Sequence, residues 1–341
     1  KIDNLQSLHL ACDTISSKSN ILKIRNGILD NATLKRREST ARGSSKKKKT
    51  TKKKKKKNNN NNKSSWDIIA VTSKHKSHAQ AFVNELRLHT NMSSTLMVPV
   101  ADLDGETSMG SGGATLHALV QIVERLSALA GDPYLNEARL KGKRVLILHS
   151  GASPGNPTPW IPAPIRDENG RAMSGACALI NALSPLTTHE PSSDDCSLFV
   201  CSGELDLTSL NFPSELSKLS GMTVLAVPCK IESAARKHGV YALESCSNSV
   251  YKIRDVVYKE SAETLYKKKF ALENKTCGDN VAMVVGVFHM DFSAAQTFFS
   301  LHAVDPFSSC THFGRDDGMV NAFPFSFFLD VVPAAAQVVS D

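Results

Sequence analysis

The chain has 341 residues, of which 41% are hydrophobic and 22% are charged, a composition that excludes wholesale disorder. The formal net charge is +8, but residues 46–63 hold eleven lysines, so that +8 − 11 leaves −3 for the rest of the chain. The folded part therefore lacks the positive charge typical of a nucleic-acid-binding protein. No apolar run reaches the ~20 residues of a membrane helix, so neither nucleic acid nor a membrane is expected as a partner.

A low-complexity stretch divides the chain. Residues 1–45 show only short helical patterns, and their role stays open. Residues 46–63 are almost entirely lysine and asparagine, which predicts a disordered insert, a solvated tract in preference to a nuclear-targeting or polyanion-binding segment. Residues 64–341 form the predicted folded domain. Because the chain begins with Lys1 and stops within the apolar stretch 331–339, we expect a fragment that is truncated at its carboxyl end.

From Trp66 onward, apolar runs alternate with helical patterns. The run Ile68–Val71 is compact and bounded by polar residues, which is typical of a buried strand. Further strands are predicted at 96–100, 145–148, 198–201, 223–227 and 282–288, and helices at 79–88 and 114–129. This alternation predicts an α/β fold with a mostly parallel, Rossmann-like sheet and flanking helices.

The cysteines form no metal-binding or disulfide framework in the sequence. None belongs to a CxxC pair, and their spacing is irregular. We expect buried free thiols in a reducing compartment, which favours a cytoplasmic location. The eight are Cys12, Cys177, Cys196, Cys201, Cys229, Cys246, Cys277 and Cys310.

A glycine-rich segment precedes the strongest predicted helix. Its residues are Gly110, Ser111, Gly112, Gly113, Ala114 and Thr115. Glycines here let backbone N–H groups approach a phosphate, and the helix dipole favours negative charge, so a nucleoside triphosphate is the natural ligand. The segment lacks the lysine of a Walker loop and the last glycine of a dinucleotide-binding loop. A merely structural turn is an equal alternative.

A second pattern follows the strand at 145–148. Gly151–Gly155 matches the nucleophile elbow of serine hydrolases, but the elbow must run into a helix, and five prolines between residues 154 and 164 forbid one. His149 and Ser150 end this strand and could face a pocket, since ligands of open α/β sheets bind beyond the carboxyl ends of strands. A satisfied core histidine is as good an interpretation.

An ordered series of short motifs resembles one family, the GDP-fucose pyrophosphorylase and L-fucokinase group. The series covers roughly residues 66–335. Its motifs are Trp66–Thr72, Gly110–Leu119, Val145–His149, Cys201–Glu204, His238–Tyr241, Gly286–Phe288 and Cys310–Asp316.

The resemblance implies guanylyl transfer from GTP to L-fucose 1-phosphate, giving GDP-fucose and pyrophosphate, with Mg²⁺ as the cofactor. In many relatives the domain is fused ahead of a kinase, so a kinase domain downstream of Asp341 is an expected partner. The attacking phosphate oxygen is already anionic, so the reaction needs positioning and charge neutralisation but no strong base.

The resemblance also assigns candidate residues. Arg171 would supply the cation, the glycine segment would hold the triphosphate, and His238 would contact the sugar or the base. Glu204, or its neighbour Asp206, would bind the metal, and Asp291 would be a second acid near it. The alternatives are a surface arginine, solvated loop acids and a histidine that caps the next strand.

Two departures from the family pattern favour a second hypothesis. No lysine or arginine lies between Ser150 and Ile165, where active members carry adjacent basic residues, and Glu204 stands where aspartate is usual. The alternative function is a catalytically degenerate nucleotide- or sugar-binding region of an L-fucokinase whose GHMP-type kinase domain lies outside this chain. An RNA-binding protein that uses the lysine tract is a third hypothesis and the least favoured.

Overall fold

The computed structural model describes most of the predicted domain and one short amino-terminal segment. The predicted insert, Arg171, Glu204 and Asp206 lie outside the described residues. The described residues are 8–12, 66–89, 92, 94–103, 109–151, 162–166, 170, 172–187, 191–203, 205, 219–244, 250–268, 280–316 and 321–340.

Strands and helices alternate through the first half of the domain, as predicted. The strands are β1 (Leu8–Cys12), β2 (Ile68–Ser73), β3 (Leu96–Ala101), β4 (Arg144–His149), β5 (Pro162–Arg166), β6 (Ala172–Ser174), β7 (Ser197–Ser202), β8 (Met222–Lys230), β9 (Gly239–Glu244), β10 (Val250–Tyr258) and β11 (Asn280–Met290). The α-helices are α1 (Lys76–His89), α2 (Gly110–Ala130), α3 (Gly175–Leu183), α4 (Ile231–Ala234), α5 (Ala262–Lys267), α6 (Phe292–Ser300), α7 (His312–Asp316) and α8 (Val332–Ser340).

The first part of the main sheet is parallel, in the order β3-β2-β4-β7. Alternate side chains of these strands enter two cores, since successive residues of a strand point to opposite faces. Ile68 and Ala70 join α2 and α6 on one face, whereas Ile69 and Val71 join α1 and α3 on the other. Burial on both faces explains why these strands are continuous apolar runs.

The second part of the sheet closes on itself. β11 runs antiparallel to β7 and β8, the order continues β8-β1-β10-β9, and β9 pairs back onto β11. The same edge of β11 therefore pairs with β7 at Val287–Met290 and with β9 at Ala282 and Met283. Between these segments Gly286 has a φ of +86°, a conformation that glycine adopts without strain. The chain changes partner at this glycine.

The predicted fold class is confirmed: the sheet is flanked by helices, and every strand and helix predicted from periodicity is present. β1 and β10, which complete the closed part with β9, were not predicted, and β9 entered the prediction only as the strand that His238 would cap. β1 shows that the amino-terminal segment, whose role the sequence left open, contributes a strand between β8 and β10. Among the described helices, none combines the length and apolar character needed to cross a membrane.

Candidate functional site

The carboxyl ends of the parallel strands define one edge of the sheet. β2 and β3 end in register at Ser73 and Ala101, and β4 and β7 end in register at His149 and Ser202. The ladder continues past the strands, because the Gly203 N–H donates to the His149 carbonyl at 2.7 Å. We call this the carboxyl edge. Ligands of open α/β sheets bind here.

The glycine segment is the first turn of α2. The helix begins at Gly110, four residues before the predicted start at Ala114, and Gly110 has a φ of +72°. Gly110 and Ser111 are partly exposed, whereas Gly112 and Gly113 are buried. Thr115 is 0% exposed, so its side chain does not face solvent.

The chain's own carboxyl-terminal segment, residues 322–327, packs against this turn. The Gly112 N–H donates to the Phe325 carbonyl at 2.9 Å, and the Phe327 N–H donates to Ser111 Oγ at 2.9 Å. A Cβ on Gly110 would collide with the Phe325 backbone, and one on Gly112 would collide with the Phe325 ring. Close approach of this segment therefore requires glycine at both positions. Phosphate binding by the turn stays a prediction.

The Cys310–Asp316 motif lies beside the same turn. A Cβ on Gly113 would come within 2.9 Å of Cys310 Sγ, and the Cys310 thiol donates to the Phe323 carbonyl at 3.0 Å. Burial raises the pKa of Cys310 to about 12, with a smaller contribution from the charge of Asp102. Cys310 is therefore an inert packing thiol, and the motif, the turn and the carboxyl-terminal segment form one packed unit.

His149 joins the ends of two strands to the glycine turn. Its Nδ1 lies 2.8 Å from Thr72 Oγ1 of β2, and its Nε2 lies 2.9 Å from Thr115 Oγ1 of α2. Burial lowers its pKa to about 4, so the ring is neutral near pH 7. The sequence allowed His149 to be either a pocket residue or a satisfied core histidine. In the structure both of its ring nitrogens have a hydrogen-bond partner.

Two charged residues at the carboxyl edge, Asp102 and Lys74, were missed by the sequence interpretation. Asp102 follows β3, and its N–H donates to the Ser73 carbonyl at 3.0 Å. Burial raises the pKa of Asp102, against the opposing charges of Lys74 and His75, which follow β2 and are exposed. A lone acid after a strand carries no sequence signal, although its place at the end of the strand before the glycine segment could have drawn notice.

Asp291 lies at the opposite edge. It follows β11, whose last residue, Met290, pairs with Leu198 near the start of β7. One carboxylate oxygen accepts the Ala294 N–H at 2.8 Å and the other accepts the Gly221 N–H at 2.6 Å. The structure does not bring Asp291 to the carboxyl edge, and its two oxygens cap α6 and hold a backbone turn. We therefore leave it out of the site.

His238 lies in the closed part of the sheet, beside β9. Its side chain is exposed, and its carbonyl accepts the Lys259 N–H at 3.0 Å. The next residue, Gly239, packs against Val284 of β11. The contact of His238 with sugar or base stays a prediction.

The carboxyl edge therefore brings together the glycine turn, His149, Lys74 and Asp102. Glu204 and Arg171 lie outside the described residues. Only their neighbours in the sequence are described: Gly203 and Leu205 for Glu204, and Gly170 and Ala172 for Arg171. Within the described ranges, no three His, Cys, Asp or Glu side chains are grouped to hold a metal ion.

A comparison with protein families finds one match. Residues 137–341, well over half of the chain, match the model of the fucose pyrophosphorylase domain. No curated protein matches the chain. The matched region includes β4, β7 and the carboxyl-terminal segment that packs on the glycine turn.

Proposed function

This chain belongs to the fucose pyrophosphorylase family, a family of fucose salvage, and from that membership we propose that it transfers a guanylyl group from GTP to L-fucose 1-phosphate. The observation that carries the proposal within the structure is the meeting of the α2 N-terminus, a cation and a desolvated carboxyl at one edge of the sheet. These are the groups that nucleotidyl transfer needs.

The triphosphate would lie at the exposed side of the glycine turn. Gly110 and Ser111 are the partly exposed residues of that turn, and they stand at the positive end of the helix dipole. Lys74 would add a positive charge from the end of β2, and Arg171 remains a second candidate cation. Gly112, Gly113 and Thr115 would act indirectly, by shaping the turn.

The reaction is an in-line displacement. A phosphate oxygen of the sugar 1-phosphate attacks the α-phosphorus of GTP, the new P–O bond forms, and the bond to the β-phosphate oxygen breaks. Pyrophosphate leaves with the electron pair, and no proton has to be moved. The residues at the edge therefore orient the two phosphates and offset their charge.

Asp102 is the described residue that fits a magnesium ion. Burial raises the pKa of its carboxyl, and a desolvated carboxylate at this edge is stabilised by a cation. Mg²⁺ is commonly held by one or two carboxylates together with substrate phosphates, so Asp102, with Glu204 as the second acid, would suffice. The ion would offset the charge on the phosphates.

Pyrophosphate release tests the proposal. The chain is mixed with magnesium, GTP and L-fucose 1-phosphate, with ATP and other hexose 1-phosphates in parallel. We expect release with GTP and fucose 1-phosphate, and a decrease of roughly tenfold or more in kcat/KM for Asp102→Asn and Lys74→Gln, about 1.4 kcal/mol or more of transition-state stabilisation. The matched control is Arg87→Gln, on the exposed side of α1. No release of pyrophosphate by the wild-type chain would contradict the proposed reaction, and equal rates in all four proteins would contradict the roles of Asp102 and Lys74.

One observation favours a second candidate, a nucleotide- or sugar-binding region that does not catalyse transfer. The Gly112 N–H and Ser111 Oγ are already engaged by Phe325 and Phe327. Binding of GTP by calorimetry without release of pyrophosphate would establish this alternative. Gly112→Val is unsuitable as an inactive control, because its side chain would collide with the Phe325 ring and report on folding.

A further inference from the structure

The hydrogen bonds around His149 can be assigned a direction. Thr115 Oγ1 lies 2.7 Å from the Ser111 carbonyl oxygen and 2.9 Å from His149 Nε2. A hydroxyl and a carbonyl oxygen attract at 2.7 Å only if the hydroxyl proton lies between them. The single proton of Thr115 is therefore committed to Ser111, and Thr115 Oγ1 accepts a proton from His149.

This assignment fixes the tautomer of the imidazole. His149 Nε2 carries the hydrogen and donates it to Thr115, so Nδ1 is the acceptor of a neutral ring and receives the hydroxyl of Thr72 at 2.8 Å. The chain of donors runs from Thr72 to His149 to Thr115 to Ser111. Each of the three donors, Thr72, His149 and Thr115, has one proton and uses it once, and the Ser111 carbonyl only accepts.

The chain of hydrogen bonds crosses three elements. Thr72 is in β2, His149 ends β4, and Thr115 lies one turn into α2, with Thr72 and Thr115 4% and 0% exposed. His149 itself is partly exposed. Largely buried polar contacts whose donors and acceptors are satisfied hold the elements they join in one geometry. The Ser111 carbonyl is the end of the chain, and Ser111 is one of the two partly exposed residues of the glycine turn.

We propose that His149, as the Nε2–H tautomer, is a positioning residue that fixes the first turn of α2 against the carboxyl edge for the nucleotide phosphates. The proposal rests on the proposed function for the identity of the ligand. It does not place His149 in contact with substrate. Loss of the Nε2–H donor would leave Thr115 Oγ1 underbonded and the first turn less well fixed.

Two substitutions separate the two ring nitrogens. The amide of glutamine reaches the position of Nε2, so His149→Gln can donate to Thr115; the amide of asparagine reaches only the position of Nδ1, so His149→Asn can bond Thr72 but not Thr115. We expect the KM for GTP to rise about tenfold in His149→Asn, the worth of about one hydrogen bond, with kcat nearly unchanged. His149→Gln should recover most of that loss.

Two readouts need no turnover. Nitrogen NMR of the wild-type ring, identified by its loss in His149→Gln, should show a protonated Nε2 and a bare Nδ1. Amide hydrogen exchange at Gly112 and Gly113 should be about tenfold faster in His149→Asn than in His149→Gln. If His149→Asn does not fold, Thr115→Val and Thr115→Ser supply the same comparison, because serine keeps the accepting hydroxyl and valine removes it.

The outcomes are distinguishable. A proton on Nδ1, or equal KM and equal exchange in the two variants, would overturn the role of His149 while leaving the proposed function intact. If the wild-type chain releases no pyrophosphate, the proposed reaction fails, whereas the tautomer, the exchange rates and GTP affinity by calorimetry still decide whether His149 fixes the turn. If His149 is a core histidine without this role, the two substitutions should lower stability equally and should give the same affinity for GTP.

Discussion

The two edges of the parallel strands use polar residues in different ways. At the edge where the strands begin, the carboxylates accept hydrogen bonds from other groups of the protein. Asp67 accepts from the Arg144 side chain, Asp195 accepts from the Phe292 N–H, and Asp291 accepts from two backbone N–H groups. At the carboxyl edge, a histidine and hydroxyls form a neutral chain of hydrogen bonds, and Asp102 stands beside exposed Lys74.

The acids at the two edges differ in their hydrogen-bond partners and not in their residue type. A carboxylate whose two oxygens each accept a backbone N–H has little capacity left for a metal, whatever motif precedes it. Asp291 is such a carboxylate. Asp102 is partly desolvated and faces cations, which is the environment in which a further cation stabilises the charged form.

Glycine substitutions at the two ends of α2 give the largest expected difference between the edges. Gly110 and Gly131 have φ of +72° and +76°, but a Cβ on Gly110 would collide with the Phe325 backbone, while one on Gly131 would meet nothing within 4 Å. We expect Gly131→Ala to cost about 1 kcal/mol, from backbone strain alone. Gly110→Ala should cost about 3 kcal/mol or more, because overpacking is added.

The measurement is the free energy of unfolding from urea titration. The pair is matched in helix, residue type and positive φ, so the excess isolates the contact with Phe325. Equal losses at the two glycines would show that residues 322–327 do not pack on the turn in solution.

Removal of Asp291 is expected to affect folding and not metal use. Asp291→Ala takes away the N-cap of α6 and leaves the Gly221 N–H without its acceptor, which together should cost about 2–3 kcal/mol of unfolding free energy. The dependence of pyrophosphate release on magnesium concentration should not change. A shifted magnesium dependence in Asp291→Ala, with none in Asp102→Asn, would reverse the assignment of the two acids.

Much of the parallel part could be predicted from the sequence, because its strands are buried on both faces and read as apolar runs such as Ile68–Val71. β1 could not, since its partners β8 and β10 lie more than 200 residues away. The glycine turn was recognised but its cause was not, because Phe325 is equally distant along the chain. Asp291, with a helix directly after it, had the position of an N-cap, a signal that the resemblance outweighed.

Acid should destabilise the fold through its buried histidines. Burial lowers the pKa of His289 to about 4, against the opposing charge of Asp195, whereas an unfolded histidine titrates near 6.5. The unfolded chain therefore binds the proton first, and the stability present above pH 6.5 is lost as the pH falls toward 4. From pH 7 to pH 5 the loss should be about 2 kcal/mol for this residue.

Urea titrations at pH 7, 6 and 5 measure this loss. His289→Gln should show a shallower pH dependence than the wild-type chain, and His238→Gln, at an exposed position, should match the wild type. Carboxyl groups contribute alike in all three proteins, so the difference in slope belongs to His289. Identical slopes in His289→Gln and the wild type would mean that the ring is hydrated or charged in the folded chain.

The ion pair at the beginning of β2 and β4 should give the smallest effect. Arg144 Nε lies 3.0 Å from Asp67 Oδ2, and the backbone N–H of Arg144 donates to the same oxygen at 2.9 Å. Burial alone would raise the pKa of Asp67, but the hydrogen bonds and charge of Arg144 hold it below its usual value. Since both side chains remain partly hydrated, we expect a coupling of about 1 kcal/mol in a double-mutant cycle of Asp67→Asn and Arg144→Gln.

The pair Asp132–Arg139 is the control: its arginine is 44% exposed, against 17% for Arg144, so its coupling should decrease more strongly with salt, because exposed charges are screened. None of the four single variants should alter the KM for GTP. A change in that KM for Asp67→Asn would mean that the edge where the strands begin also shapes the site, and the division between the two edges would fail.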